Sequence, residues 1–103
     1  MYKLCFYVPE SHLESVKSAL FKVGAGKIGN YDSCCWQTLG QGQFRPLAGS
    51  APFIGQQDNI ETVAEYKVEM VCGEDIITDV IEEFKKIHPY ETPAYDCVLV
   101  VDL

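Results

Sequence analysis

At 103 residues, with 48% hydrophobic and 12% aromatic side chains, the chain is long and apolar enough for one folded core but not two, and its composition excludes intrinsic disorder. Eight Lys and Arg against fifteen Asp and Glu leave a net charge of -7 with no basic cluster, so a partner bound through its phosphates, nucleic acid included, is not expected. The longest aliphatic run, Cys97 to Val101, is far short of the roughly twenty residues that span a bilayer, and Pro9 and Glu10 interrupt the N-terminal apolar run before a secretory core can form. A single cytoplasmic domain over residues 1–103, without a membrane partner, is the expectation. Cysteines at positions 5, 34, 35, 72 and 97 are odd in number and irregularly spaced, which suits buried or free thiols better than a disulfide framework.

Residues 2–8 alternate, with Tyr2, Leu4, Phe6 and Val8 on one face, and predict a first strand. Leu13, Val16, Leu20 and Val23 then form a helical stripe; Ser11 and Glu14 have capping-box spacing, and Gly24 is placed to close the helix in a left-handed conformation. From Ile28 to about Leu39 the chain can extend. The stretch from Gly40 to Asn59, rich in glycine and proline, reads as a long hairpin connection with order of its own or packed on a neighbour.

Residues 61–72 alternate again, with Ala64, Tyr66, Val68 and Met70 against Glu65, Lys67 and Glu69, and predict a third strand ended by Gly73. Ile76, Ile77, Val80, Ile81, Phe84 and Ile87 recur at helical spacing until His88-Pro89 stops the helix. Residues 94–102 finish as a strand that is apolar on both faces. The order β-α-β-β-α-β predicts an α+β ferredoxin-like sandwich: an antiparallel sheet with two helices on one face. Because the helices cover one sheet face only, the two-sided last strand implies a further subunit on the other.

Gly24, Gly26 and Gly29 spell GxGxxG, but they follow a helix and lead toward a strand, the reverse of the order in which a dinucleotide site uses them. They are read as a helix cap and turn. Cys34-Cys35-Trp36 has no adjacent base or cation to form a thiolate, and packing is the expected role of all three. His12, near the exposed start of the first helix, is read as solvated.

The sharpest element is HPYETPAYD, residues 88–96, where two prolines stiffen the link between the second helix and the last strand. His88 and Glu91 are metal ligands by type. In an extended segment, however, residues three apart lie about 10 Å from each other and face opposite ways, so the structural reading, with Tyr90 and Glu91 fixing the backbone, is favoured.

Together, GAGKIGNYDSCCW, GQGQFRPLAGSAPFIG, ETVAEYKVEMVC and HPYETPAYD resemble the PII-like domain inserted in the Nif-three-like (YqfO-type) family, over nearly the whole chain. The HPYE element is also similar to the CutA divalent-ion-tolerance proteins, trimers of the same fold related in architecture to PII signalling proteins. In longer members of the family this domain interrupts a metal-binding module, and here it is expected to stand alone. The histidines and carboxylates of that module's two-metal centre have no counterpart in a chain whose histidines are His12 and His88, so hydrolase or cyclohydrolase labels find no residues to rest on.

The resemblance implies a PII/CutA-like fold, a homo-oligomer, specifically a trimer, and a sensing or binding role. A small non-enzymatic binding or regulatory protein is therefore expected, with no assigned cofactor and with a protein or small molecule as partner. Its candidate ligand-binding residues are His88, Tyr90, Glu91, Gly40 and Gly42. Two alternatives stand beside it: a divalent metal-ion protein using His88 and Glu91, and an enzyme whose active site is completed between subunits.

Overall fold

The computed structural model describes residues 1–101 and 103. Its elements run β1 (Tyr2–Pro9), α1 (Glu10–Val23), β2 (Trp36–Phe44), β3 (Glu61–Cys72), α2 (Ile77–Ile87) and β4 (Tyr95–Leu99). The strands form one antiparallel sheet in the order β2-β3-β1-β4, the ferredoxin-like arrangement expected from the sequence. Among the described residues, no helix is long and apolar enough to cross a membrane.

Register follows from alternation. Leu4 pairs with Met70 and Phe6 with Val68, so the apolar sets of β1 and β3 fall on one face. The helices lay their stripes on that face: Leu13, Val16 and Leu20 from α1, Val80 and Phe84 from α2, all buried. Phe6 and Phe84 meet at 5.0 Å between ring centroids. Each such fully buried large side chain contributes about 1.5–3 kcal/mol relative to exposure.

Gly24 closes α1 as expected, at φ 119°, with its N–H directed to the carbonyls of Leu20 and Phe21. The capping box does not form. Pro9 occupies the N-cap, which leaves Ser11 inside the first turn, where its hydroxyl meets His12 Nδ1 at 2.8 Å instead.

The second strand begins later and runs further than the sequence suggested. Ile28 and Tyr31 close a tight turn on each other, Ser33 is left-handed at φ 56°, and β2 then extends from Trp36 through Gly40 and Gly42 to Phe44. Both glycines thus lie in a strand, where pairing with the regular β3 holds them extended. The connection, residues 45–60, has its own order: the Asp58 amide donates to the Pro46 carbonyl at 2.7 Å and closes its base, and Ser50 bonds back to Leu47.

β4 is shorter than expected and ends at Leu99. The Val100 amide still donates to the Met1 carbonyl at 2.9 Å, while the end of the expected strand, Asp102, lies outside the described residues. Helix packing centres on β1 and β3, and the edge strands overhang it. Trp36 (69% exposed), Leu39, Val98 (52%) and Leu99 (65%) stand in solvent on these edges.

Candidate functional site: the cleft beside the HPYETP joint

His88 caps the C-terminus of α2 in an extended conformation, φ -69° and ψ 136°, as a residue before proline must. Residues 89–92 then bend instead of running extended as the sequence reading had it. The bend turns the Tyr90 amide back onto His88 Nδ1, which accepts it at 3.0 Å. A nitrogen that accepts carries no proton, so the ring is the neutral tautomer and Nε2 donates, to the Tyr7 carbonyl at 2.7 Å. Only 5% of His88 is exposed, and burial pushes its pKa below the ordinary histidine value, partly opposed by the bond to Tyr7. Phe84 and Tyr90 pack against the imidazole at 5.2 and 4.8 Å.

Tyr90 reaches the other way and donates its hydroxyl to Glu65 Oε2 on β3, at 3.3 Å. Burial, reinforced by that carboxylate, pushes the tyrosine up to about 12. Burial also raises the Glu65 carboxyl, opposed by the Tyr90 hydrogen bond. Glu91 holds the opposite wall, its Oε2 accepting the Ala51 amide at 3.0 Å across forty residues of sequence.

These contacts enclose a cleft of about 260 Å³ between the joint, the end of the sheet and the 45–60 connection. Phe44, Phe53, Tyr7 and Pro52 line it together with Tyr90, Glu65 and Glu91. The Phe44 and Phe53 rings each lie 6.3 Å from Tyr90, and Phe53 also meets His12 edge-on at 5.5 Å.

Of the residues singled out from the sequence, Tyr90 and Glu91 line the cleft. His88 lies behind it as a brace. On the neighbouring strand Gly40 pairs with Glu65 and Gly42 with Val63: a Cβ on Gly42 would collide with the Glu65 carboxyl, whereas one on Gly40 meets nothing within 4 Å. Glu65, Phe44, Phe53 and Tyr7 were missed. A signal existed for Glu65 alone, in the glycines of the strand opposite it, which leave a gap that its side chain can fill.

Trp36 is exposed and Cys34 and Cys35 precede β2. Of the three, only Cys35 packs on the core of the chain itself. Gly26, at φ 77°, donates its amide to the Val71 carbonyl at 2.7 Å and sits in the turn after α1. Among the described residues, no cluster of three or more His, Cys, Asp or Glu side chains is arranged to hold a metal ion.

The sheet order and one-sided helix layer are those of the CutA/PII-like proteins. CutA from Xylella fastidiosa superimposes with a TM-score of 0.72 over 99% of this chain and 86% of its own, at 21% identity, a likeness of fold alone. A protein related to NIF3 from Bacillus cereus contains a segment that matches with a TM-score of 0.80 at 35% identity, over 93% of this chain and 24% of that one. In sequence, a "GTP cyclohydrolase 1 type 2 homolog" from Halalkalibacterium halodurans is 45% identical over 96 residues, 93% of this chain and 26% of that protein. No family model matches the chain. The chain is a homologue of the NIF3-related proteins and corresponds to their CutA/PII-like segment; it spans about a quarter of the length of the curated relatives it matches.

Proposed function

We propose that the chain is a non-enzymatic, homo-oligomeric binding module, a trimer of the CutA/PII type, that takes a small ligand in the cleft at Tyr90, Glu91 and Glu65. The observation that carries the assembly is the pair of sheet edges, β2 and β4. Among the described residues their outer sides pair with no strand, and exposed Trp36 and Leu39 stand on one edge and Val98 and Leu99 on the other. Natural proteins cover or blunt such edges, and two different edges that join head to tail close into a ring when the rotation between neighbours closes; three copies is the number the CutA/PII likeness supports.

The chemistry of the cleft supports binding over catalysis. Tyr90, held near 12, is a poor proton shuttle at neutral pH, and the histidine behind the wall has both ring nitrogens taken by backbone bonds. An enzyme reading needs acid and base groups from another chain. A divalent ion at His88 and Glu91 needs either the Tyr7 carbonyl or the Tyr90 amide to give up its bond to the imidazole, leaving a backbone group unpaired.

Sedimentation velocity on the purified chain and on Val98→Asp tests the reading. The wild type is expected to sediment as a trimer and the variant as a folded, smaller species. A wild type indistinguishable from the variant contradicts it.

A further inference from the structure

We propose that the cleft recognises a small organic cation of the alkylammonium class, held between the rings of Phe44, Phe53 and Tyr90 and neutralised by the carboxylates of Glu65 and Glu91. This rests on the reading of the cleft as a ligand site and adds the class of ligand.

The rings come first. Phe44 and Phe53 stand 6.3 Å from Tyr90 at tilts of 48° and 46°, so the three line a corner instead of stacking on one another. Such a corner suits a methylated or alkylated ammonium, which is attracted to aromatic faces within about 6 Å and needs few hydrogen bonds. Pro46 and Pro52 add apolar wall for its methyl groups.

Charge selects the sign. Among the lining residues there are two carboxylates and no Lys, Arg or His. Phosphates and carboxylates as ligands are thereby disfavoured, in line with the acidic chain as a whole. Each glutamate is oriented through one oxygen, Glu65 Oε2 by the Tyr90 hydroxyl and Glu91 Oε2 by the Ala51 amide. A carboxylate has acceptor capacity beyond one such bond. Glu65 is partly buried without a cationic partner, and burial raises its pKa; an ammonium beside it supplies the missing countercharge. Volume sets the size, since about 260 Å³ is below the range of drug-sized pockets.

The test is a chemical-shift titration of the intact oligomer with choline, and with its uncharged isostere in which carbon replaces the quaternary nitrogen, at constant ionic strength. Choline is expected to shift the amides of Tyr90 and Ala51 and to bind about tenfold more tightly than the isostere, the difference that a desolvated cation on aromatic rings commands. Glu65→Gln, which retains an acceptor for Tyr90, and Phe53→Leu should each weaken choline about tenfold while the amide spectrum remains that of the folded oligomer. Equal binding of choline and its isostere in the cleft overturns the cation assignment and leaves the ligand-site reading standing. Absence of both from the cleft overturns the cation assignment and the ligand-site reading together.

Discussion

His88 Nε2 and the Tyr7 carbonyl, 81 residues apart in the chain, meet at 2.7 Å, and this bond joins the end of α2 to β1. With the Tyr90 amide on Nδ1, the imidazole links β1, α2 and the joint that leads to β4. The most conspicuous histidine of the sequence is thus a brace, and the cleft is lined by its neighbour Tyr90 and not by the imidazole.

Removing that brace leaves one backbone carbonyl and one backbone amide unpaired in a partly buried place. His88→Ala should therefore lower stability by about 2–4 kcal/mol in urea denaturation, and His88→Gln, which can both donate and accept, by less. Metal content by elemental analysis should be the same in wild type and His88→Ala. Loss of a stoichiometric metal with stability intact would instead support the metal-ion reading.

The same histidine sets a pH dependence. Its folded pKa lies below the ordinary value of 6.5, so its contribution is complete above that value and is lost as pH falls toward the folded pKa. Glu65 acts in the opposite sense: its folded pKa lies above 4.5, so its contribution is complete below 4.5 and lost as pH rises through the folded value. Melting temperatures measured downward from pH 6.5 should fall more steeply in wild type than in His88→Gln. Glu65→Gln should remove the opposing slope and make the fall steeper still.

Three glycines separate structural roles that the sequence alone runs together. Gly26 is left-handed, and a Cβ there would lie 2.7 Å from the Cys34 carbonyl and 2.9 Å from the Phe21 ring, so Gly26→Ala should cost about 1–3 kcal/mol. Calorimetric titration with NAD or FAD should give no binding heat in either form. Gly42→Ala should displace the Glu65 carboxyl and weaken ligand binding, whereas Gly40→Ala, with open space at its Cβ, should change stability by no more than about 0.5 kcal/mol.

Glu91 ties down the connection that walls the cleft. Because its bond to the Ala51 amide is exposed, Glu91→Ala should cost only about 1 kcal/mol of global stability. Hydrogen exchange at Ala51 should nevertheless accelerate markedly, and unchanged exchange there would argue that the connection is held by other contacts.

Alternation in β1 and β3 and the helical stripes of α1 and α2 are local signals, and the elements they predict appear in the expected order and sheet arrangement. The limits of β2 were hidden because Gly40 and Gly42 carry turn propensity, which pairing with β3 overrides. The cleft was half visible. Tyr90 and Glu91 stand in the conspicuous joint, whereas Glu65 looked like one acidic residue among several on a solvated strand face and Phe53 lay in a stretch without periodicity. Only tertiary contacts bring those four together, through bonds spanning 25 and 40 residues of sequence and one aromatic pair. The neutral state of His88 likewise depends on the distant Tyr7 carbonyl, to which no local pattern points.

The role of the two sheet edges is best tested by the mass of the particle in solution. Light scattering on the purified chain, over a range of micromolar concentrations, should return three times the 11.5 kDa of one chain. A mass of 11.5 kDa throughout that range would contradict the assembly and leave the exposed Trp36, Leu39, Val98 and Leu99 without the neighbour they are read as meeting.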